Sequence, residues 1–391
     1  MISSRQAIGA FVALMLCACN ASASSGASSR ARDVSSSDRL SSAQLATPSA
    51  RLDFVRAPVG QTRAGKQNMT PGSARFRPAK PGRPVVLQRF TGGRWRTAEK
   101  AVQNKRGSFA FNVPAKRRGE YIRYRALAPR WHGLAAAKSS VERAEPWPRT
   151  FEDRFTYRGL DLTKWNYRSL GVRNPDGDRL CAESSRKRVR VPGDGNAYLR
   201  VKKIRDQSYP RKCRHGEYYN ANIGTQGLFS LRYGIIAMRT KFQHQRGQHG
   251  GIWSQPQTVS LVRGNPRVSG AEIDIVEYFG DGFRKGGLGH FVFWQGDDGP
   301  VKIGGIVDSR HLLGKGKTWS NSYHVYSVEW TPSRYTFRVD GYPVWSTKRG
   351  VSRVRQYIIL SLLTSGWELP DLRVGKLNPM TVDWVRAWQR P

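Results

Sequence analysis

The 391-residue sequence contains few cysteines, few acidic residues and no long apolar run. Its 4 Cys exclude a small scaffold held together by many disulfides. Its 28 Asp and Glu are outnumbered by 66 Lys and Arg, so the formal charge is +38. This excess predicts an affinity for polyanions, and it does not indicate a fold. The missing apolar run excludes a membrane-spanning helix, which needs roughly 20 such residues.

Aromatic residues, glycines and prolines, in contrast, are well represented. Trp, Tyr and Phe make up 11% of the chain, which is too many for a wholly disordered protein. The 40 Gly and 21 Pro interrupt the chain often, which favours many short strands over long helices. With about 150 residues per domain as a guide, the length is enough for two domains.

The first residues have the pattern of an export signal. Met1 to Arg5 is short and positive, and Ala7 to Leu16 is apolar but too short to span a bilayer. Residues 1–19 are therefore predicted to be a signal peptide. Leu16-Cys17-Ala18-Cys19 resembles the lipobox of bacterial lipoproteins, in which Cys19 would be lipidated. Ala21-Ser22-Ala23 is the alternative, a site for ordinary cleavage.

Both endings predict a location outside the cytoplasm, either extracellular or associated with the cell envelope. Contact with a membrane is expected only through the lipid anchor. Residues 20–50 contain eleven serines and no apolar periodicity, which indicates a disordered tether.

Two cysteines remain after the signal, Cys181 and Cys213. A lone pair in an exported protein predicts one disulfide that closes a surface loop. Two unpaired thiols are the alternative. A zinc site is not expected, because neither cysteine lies in a CxxC motif and no histidine stands at ligand spacing.

Residues 51–145 are predicted to form a small basic β-sandwich. Strands are expected at 85–90 and 94–98 around Gly92-Gly93, and then at 108–113 and 121–127. Short strands at this spacing favour an immunoglobulin-like arrangement. From Arg83 to Arg130 there are 13 Lys or Arg and two acids. This charge fits either a soluble basic face or a module that binds anionic cell-wall polymer.

Residues 146–391 are predicted to form a second, larger all-β domain. Asp340-Gly341 lies between two strand-like segments and is a strong hairpin signal. Residues 323–330 alternate, and residues 357–363 form an apolar run short enough for a buried strand. No long segment has helical periodicity, so two packed antiparallel sheets are expected.

One strand-like segment of this domain, Ala271-Glu272-Ile273-Asp274-Ile275-Val276-Glu277, carries three carboxylates. Alternate residues of a strand share a face, so Glu272 and Asp274 point the same way. Glu277 joins them only if a β-bulge inserts one residue, and bulges are common beside active sites. Neighbouring carboxylates repel, so at least one should keep its proton, which is the condition for two-carboxylate glycoside cleavage. A solvated strand face is the alternative.

This segment resembles the catalytic strand of glycoside hydrolase family 16, which reads Glu-x-Asp-x-Glu or, with a bulge, Glu-x-Asp-x-x-Glu. Further blocks resemble the same family and follow its order. They are Phe151–Phe155 with Leu160-Asp161 and Lys164–Asn166, Tyr233–Lys241 with Gly247–Trp253, His324–Pro332 with Val339–Gly341, and Met380–Arg386. The sequence is therefore identified as similar to bacterial endo-β-1,3-glucanases and lichenases, which implies a concanavalin A-like β-jelly-roll.

The resemblance also implies roles for the three acids. Glu272 matches the nucleophile, Glu277 the general acid/base, and Asp274 the assisting carboxylate between them. The implied mechanism is retaining, which requires the two glutamate carboxyl groups to lie about 5 to 5.5 Å apart.

Other candidate residues follow from the same likeness. Trp253 matches a tryptophan that would stack on a sugar, with core packing as the alternative. Arg239 matches an arginine that lines the cleft, with a structural ion pair as the alternative. His290 and Trp294 on the next strand are expected on the carboxylate-facing side, although a core histidine is equally consistent. Trp367 and Glu368 resemble a segment at the edge of the cleft.

A structural calcium site is also implied by the family. Asp383 and a backbone oxygen near Gly195 match residues of that site, but calcium takes six or more oxygen ligands and most are invisible in sequence. No other cofactor is expected.

The predicted function is that of an exported, monomeric endo-β-glycanase, a glycoside hydrolase acting on O-glycosyl bonds of β-1,3- or mixed β-1,3/1,4-glucan. A family 16 enzyme on a galactan or acidic polysaccharide, or a transglycosylase, is the alternative within the family. A non-catalytic cell-wall-binding protein is the alternative from another class, although a lectin has no need of the carboxylate cluster. A nucleic-acid partner is not expected, because the chain has an export signal and no groove-reading helix.

Overall fold

The computed structural model describes residues 47–169, 179–205, 213–257, 264–373, 375 and 377–391. The predicted signal peptide, the lipidation at Cys19 and nearly all of the tether lie outside the described residues. No helix in the described part is long and apolar enough to cross a membrane.

The N-terminal part is a two-layer β-structure. Its strands are β1 (Ser49–Phe54), β2 (Met69–Arg77), β3 (Pro84–Thr91), β4 (Arg94–Val102), β5 (Ser108–Pro114), β6 (Lys116–Arg117), β7 (Glu120–Tyr121), β8 (Arg123–Ala128), β9 (Ala137–Lys138) and β10 (Glu142–Arg143). One sheet has the order β1-β2-β5, and the other has the order β10-β8-β3-β4 with β9 beside β8. Their facing side chains, such as Leu87, Phe111 and Tyr124, form a core of their own.

The larger C-terminal part is also almost entirely strand. Its strands are β11 (Arg149–Asp153), β12 (Asn166–Tyr167), β13 (Ala182–Ser184), β14 (Val189–Arg190), β15 (Ala197–Leu199), β16 (Lys202–Lys203), β17 (Tyr218–Gly224), β18 (Gly234–Lys241), β19 (His249–Pro256), β20 (Glu272–Tyr278), β21 (Leu288–Gly296), β22 (Gly299–Ile306), β23 (His324–Thr331), β24 (Arg334–Val339), β25 (Tyr342–Thr347), β26 (Gln356–Leu363) and β27 (Met380–Gln389). A short helix, α1 (Pro266–Ser269), precedes β20. Single 3₁₀ turns occupy Arg186–Arg188, Arg284–Gly286, Arg310–Leu312 and Leu369–Asp371.

These strands form two large sheets that pack face to face. Sheet A has the order β12-β17-β26-β19-β20-β21-β22, with β13 and β16 also on β17. Sheet B has the order β14-β15-β27-β18-β23-β24-β25, with β11 also on β27. The core between them includes Ile273, Ile275, Met238 and Phe337. Burying each such side chain contributes about 1.5 to 3 kcal/mol, so alternation along the strands fixes which face turns inward.

The strands predicted from the sequence are confirmed. The Gly92-Gly93 turn joins β3 to β4, and Asp340-Gly341 joins β24 to β25. The apolar run at 357–363 is β26, which is buried along its whole length. The boundary at residues 145 and 146 and the immunoglobulin-like arrangement of the first part stay predictions.

The segment between β1 and β2 lies against the outer face of sheet B. Val55, Ala57 and Val59 pack with sheet B residues that include Trp384 and Trp388. Gln61 Nε2 donates a hydrogen bond of 2.6 Å to the carbonyl of Tyr323. The two β-structures therefore share a packed interface on the side of sheet B that faces away from sheet A.

The predicted disulfide is present. Cys181 and Cys213 are joined, with their Cα atoms 5.6 Å apart, within the range usual for disulfides. Cys181 immediately precedes β13, and Cys213 precedes β17, with which β13 pairs in parallel. The bond thus ties the edge of sheet A to the loop beside it.

Candidate active site

A β-bulge in β20 gathers the three carboxylates on one face of sheet A. The pairing of β20 with β19 shifts so that Ile252 lies opposite Val276 and Trp253 lies opposite Asp274. The pairing with β21 shifts between the same residues, Asp274 and Glu277. The bulge predicted from the spacing is therefore confirmed. It turns Glu277 to the same side as Glu272 and Asp274, while Ile273 and Ile275 remain in the core.

Strand β19 supplies the neighbouring row of this face. Its alternate residues His249, Gly251, Trp253 and Gln255 lie beside the carboxylates, since Gly251 pairs with Glu277 and Trp253 with Asp274. A Cβ at Gly251 would lie 2.9 Å from Ser361 Oγ and 3.3 Å from the Trp253 ring. A side chain at this position would therefore crowd Ser361 and the Trp253 ring, which glycine avoids.

Burial and mutual repulsion control the charges of the cluster. Burial raises the pKa of Asp274 well above its ordinary value, and the negative charges of Glu272 and Glu277 raise it further. Asp274 is only 3% exposed. Both effects favour the protonated form of Asp274, in keeping with the expectation that at least one of the acids keeps its proton.

Glu272 is buried as well, but it has partners that stabilise its anion. Burial, with repulsion by Glu277, raises the pKa of Glu272 to about 7, although the hydrogen bond from Gln255 and the guanidinium groups of Arg168 and Arg179 oppose this rise. Gln255 Nε2 donates to Glu272 Oε2 at 2.7 Å. Donation from an amide and two nearby cations favour an ionised carboxylate.

Gln255 is itself held by a small polar network. Arg168 donates to Gln255 Oε1 at 3.1 Å and to the hydroxyl of Tyr357 at 2.9 Å. The Tyr357 hydroxyl lies 2.9 Å from the same Gln255 oxygen. The amide oxygen of Gln255 is thus occupied as an acceptor, which directs its NH₂ group toward Glu272.

At the other end of the cluster a histidine lies beside Glu277. His249 Nε2 is 3.9 Å from Glu277 Oε1. Its Nδ1 is 2.5 Å from one oxygen of Glu368 and 3.0 Å from the other. Glu368, expected at the cleft edge, is 4% exposed and directs its carboxylate at His249. It can influence a substrate only through that ring.

The two tryptophans of the expected cleft differ in exposure. Trp253 is 9% exposed, and its indole N–H donates to Ser361 Oγ at 3.0 Å. Arg168 Cζ lies 5.3 Å from the Trp253 ring centroid. Trp367 is 45% exposed, with its ring 5.9 Å from that of Phe279. Trp367 therefore offers the more open surface for stacking beside the Glu277 end.

The prediction that His290 and Trp294 face the carboxylates is wrong. The register places Phe293 opposite Glu272 and Phe291 opposite Asp274, so the residues that alternate with them point the other way. His290 is fully buried between the sheets, 5.6 Å from the ring of Phe337. Trp294 packs against the core. His290 is thus the core histidine that was the alternative, with its Nδ1 2.6 Å from the carbonyl of Ile275.

The prediction that Arg239 lines the cleft is also wrong. Arg239 is on β18 of sheet B, and its guanidinium donates to Asp383 Oδ2 at 2.6 Å and to Gln61 Oε1 at 2.9 Å. The ion pair that was the alternative is what the structure contains.

The same contact bears on the implied calcium site. A calcium ion at Asp383 would lie beside the Arg239 guanidinium. The two positive charges would repel each other, so the ion would have to displace the guanidinium. The donor set around Asp383 therefore does not fit calcium. Among the described residues, no group of three or more His, Cys, Asp or Glu side chains is arranged to hold a metal ion. Gly195 lies in a turn before β15 and contributes no side chain.

Several residues of the site were missed from the sequence. They are Arg168, Arg179, His249, Gln255, Phe291, Phe293 and Tyr357, together with Lys302, whose charge lowers the pKa of Asp274 and whose Nζ lies 4.1 Å from the Phe291 ring centroid. The alternation of β19 around Trp253 would have indicated His249 and Gln255. Arg168 and Arg179 lie in loops far from β20 in sequence, and no local pattern marks them.

An antiparallel β-sandwich with three carboxylates and aromatic rings on one open sheet face has the architecture of a two-carboxylate carbohydrate-cleaving enzyme. The family described as glycosyl hydrolases family 16 matches residues 180–386. The chain belongs to this family.

Curated relatives agree with this assignment, and a solved structure is similar in fold. The chain is 30% identical over 200 residues to the glucan endo-1,3-beta-glucosidase A1 of Niallia circulans, covering 49% of this chain and 28% of that protein. It is 28% identical over 210 residues to the beta-glucanase of Rhodothermus marinus, covering 51% and 65%. The laminarinase catalytic domain of Thermotoga maritima MSB8 superposes with a TM-score of 0.51 at 19% identity, covering 63% of this chain and all of that one.

These alignments span less than two thirds of each curated relative's own length. The structural likeness supports the jelly-roll fold. The described part of the chain thus combines a family 16 sandwich with a β-structure that precedes it.

Proposed function

We propose that the protein is an exported endo-β-glycanase that hydrolyses β-1,3- or mixed β-1,3/1,4-glucan by double displacement with retention. The observation that carries the proposal is the bulge in β20, which sets Glu272, Asp274 and Glu277 on one open face of sheet A. Export is supported by the N-terminal sequence, and the substrate by the names of the relatives, a glucan endo-1,3-beta-glucosidase and a beta-glucanase.

In the first displacement, Glu272 attacks the anomeric carbon. The bond to the leaving oxygen breaks as Glu277 gives that oxygen its proton. Glu272 suits the nucleophile's role because Gln255, Arg168 and Arg179 stabilise its anion. The raised pKa of Asp274 favours its neutral form, which places no second negative charge beside the attacking carboxylate.

In the second displacement, Glu277 takes a proton from water, and the hydroxide oxygen attacks the anomeric carbon. The ester bond to Glu272 breaks and returns the carboxylate. Glu277 is only partly buried, so water can reach the acid/base from solvent.

A galactan or other acidic polysaccharide is the second candidate substrate. Arg168, on Gln255, and Arg179, on His249, place two guanidinium groups beside the row of carboxylates. Cations there would suit a negatively charged sugar ring. A non-catalytic wall-binding protein is disfavoured, because burying three carboxylates together costs stability and serves no lectin function.

The mechanism is tested with the Glu272→Ala and Glu277→Ala variants and an activated β-glucoside. Glu272→Ala should lose activity by orders of magnitude, and azide should restore it with an inverted product, because a single displacement remains. Azide with Glu277→Ala should intercept the glycosyl-enzyme and give a retained product. Near-normal turnover by Glu272→Ala would show that β20 is not the active strand.

The substrate is tested by reducing-sugar release from laminarin, lichenan, agarose and carrageenan. Release from laminarin or lichenan supports the proposal. Release confined to agarose or carrageenan moves the assignment to the second candidate. No release from any of them by a folded protein would favour the non-catalytic class.

A further inference from the structure

The outer face of the N-terminal five-stranded sheet carries a ladder of arginines and aromatic rings. Arg123 Cζ lies 4.1 Å from the centroid of the Phe90 ring, and Arg125 Cζ lies 4.2 Å from the Trp95 ring. The two rings meet edge to face with centroids 5.3 Å apart. We call Phe90, Trp95, Arg123 and Arg125 the arginine–aromatic ladder.

The register explains why these side chains meet. Phe90 of β3 pairs with Trp95 of β4, and Gln88 pairs with Arg125 of β8. Leu87, Tyr124 and Ala126, which alternate with them, are buried in the core between the two N-terminal sheets. The ladder therefore points away from that core, on the opposite side of its sheet.

The guanidinium groups of the ladder are held in place without a carboxylate. Arg125 Nε donates to Gln88 Oε1 at 2.8 Å, and the Trp95 ring supports its face. In the part of the chain that the structure describes, neither Arg123 nor Arg125 forms an ion pair. Arg386, in contrast, is paired with Glu152. Charges that only solvate a surface need no aromatic support, whereas stacked guanidinium planes are preorganised to donate to planar or tetrahedral anions.

The surroundings of the ladder extend the same charge. Exposed Lys138 pairs with Leu127, two residues along β8 from Arg125, and exposed Lys100 pairs with Val86. The face is thus flat, cationic and part aromatic across several strands. It belongs to the N-terminal β-structure, which packs on sheet B rather than on the open face of sheet A that carries the carboxylates.

We propose that the arginine–aromatic ladder is a binding site for an anionic polysaccharide, a linear glycan carrying carboxylate, sulfate or phosphate groups. Charge complementarity favours a polyanion, and a flat sheet face suits an extended chain. The choice of a polysaccharide over other polyanions rests on the proposed function, since the same chain carries a glycan-cleaving site. The ladder retains the enzyme on an anionic matrix while the carboxylate face works separately.

The test measures binding of the protein to polygalacturonate, dextran sulfate and neutral dextran at several salt concentrations. We expect binding to one of the two polyanions that weakens as salt rises, and none to dextran. Arg123→Gln/Arg125→Gln should weaken binding at least about tenfold, because it removes the charge-assisted contacts of two guanidinium groups. The matched control is Arg75→Gln/Arg77→Gln, which removes two exposed charges from β2 of the other N-terminal sheet. An equal loss in both variants would overturn the proposal, because bulk charge would then explain binding.

Single-stranded DNA and phosphatidylglycerol vesicles serve as competing occupants. Tighter, ladder-dependent binding to either one would overturn the choice of a polysaccharide. A thermal melt confirms that each variant is folded. Laminarin turnover is measured in parallel and should be unchanged in the ladder variant. Turnover without polyanion binding overturns the ladder site alone, and binding without turnover of any glycan overturns the proposed function alone.

Discussion

His249 and Glu368 form a buried pair that connects the loop after β26 to the carboxylate face. His249 Nδ1 lies 2.5 Å from Glu368, and its Nε2 lies 3.2 Å from a guanidinium nitrogen of Arg179. A guanidinium can only donate a hydrogen bond, so the His249 Nε2 is assigned as the acceptor. The His249 Nδ1 then carries the hydrogen and donates it in a hydrogen bond to the Glu368 carboxylate. The chain Glu368–His249–Arg179 therefore fixes a cation whose charge lowers the pKa of Glu272.

We predict that His249→Phe moves the acid limb of the kcat/KM profile to higher pH. The variant keeps an aromatic ring but loses the acceptor that holds Arg179. If Arg179 is less well placed, its charge offsets less of the rise in pKa that burial causes at Glu272. The pKa of Glu272 then rises further, and its ionised form becomes populated only at higher pH. A pH–rate profile with a soluble glucan checks the shift.

The control for this variant is His324→Phe. His324 Nδ1 lies 2.7 Å from Asp340 in another buried histidine–carboxylate pair, on sheet B. Both variants should lose stability, because each leaves a buried carboxylate without its partner. Only the first should change the pH profile. An equal shift in both would show that His249 has a structural role alone.

The carboxylate strand and its bulge could be predicted from the sequence because the period of two and the position of Glu277 leave few arrangements. Which residues of β21 turn toward the carboxylates could not be predicted in the same way. Whether His290 or Phe291 turns toward Asp274 depends on the register between two strands, and a shift of one residue exchanges the faces. Nothing in the sequence of β21 fixes that register once the bulge has displaced its partner.

The error at Arg239 has a different cause. Its role depends on Asp383 and on Gln61, a residue of the segment between β1 and β2. The family resemblance covers only residues after 150, so it cannot indicate a contact between Arg239 and Gln61. Arg168 and Arg179 were missed for the same physical reason, since loops bring them to Gln255 and His249 only after folding.

Asp274→Asn should increase the free energy of unfolding at neutral pH by about 1 to 3 kcal/mol. Burial raises the pKa of Asp274, so its folded form prefers the proton. The free energy of unfolding of the wild type therefore falls as the pH rises above about 4, the pKa of an aspartate in the unfolded chain. The asparagine of the variant does not ionise and has no such loss. The advantage should shrink toward pH 4. Urea unfolding at pH 4 to 8 checks it.

Asp308→Asn is the control for the previous variant. Hydrogen bonds from Arg310 hold the pKa of this exposed carboxyl below its usual range, so it has no burial penalty to relieve. No gain in stability is expected at any pH. An equal gain in both variants would contradict the burial argument.

His290→Gln should make stability less sensitive to acid. Burial lowers the pKa of His290 to about 4. Its stabilising contribution is complete above the unfolded-state pKa near 6.5 and is lost progressively as pH falls toward 4, by roughly 3 kcal/mol. The glutamine can still donate to the Ile275 carbonyl and does not titrate. Between pH 7, 5 and 4, the free energy of unfolding should therefore fall more steeply for the wild type than for the variant. Exposed His311→Gln should follow the wild type.

Calcium chelation should leave the melting temperature unchanged. Asp383 is engaged by Arg239 at 2.6 Å, so no cation is needed to neutralise it. Asp383→Asn, in contrast, should lower the free energy of unfolding by about 1 to 3 kcal/mol, because Arg239 is largely buried and would lose its charged partner. Thermal melts with EDTA or with added calcium make the comparison. A rise in melting temperature with calcium would revive the implied site.

Breaking the disulfide should cost about 3 to 4 kcal/mol of unfolding free energy, given a separation of 32 residues between Cys181 and Cys213. Cys181→Ser/Cys213→Ser should show this loss in urea. Treatment of the wild type with a reductant should reproduce it and leave the double variant unaffected. Alkylation of both thiols in the untreated, folded protein would disprove the bond.

The segment between β1 and β2 affects how the protein can be divided. Trp384, Trp388, Ile235 and Val325 on the outer face of sheet B are covered by Val55, Ala57 and Val59. A fragment beginning at residue 146 would expose this apolar row to water and should self-associate. We therefore expect the cooperatively unfolding unit to extend beyond residues 180–386, the stretch that matches the family. Calorimetry of residues 47–391 should show sheet B and the segment between β1 and β2 unfolding in a single transition.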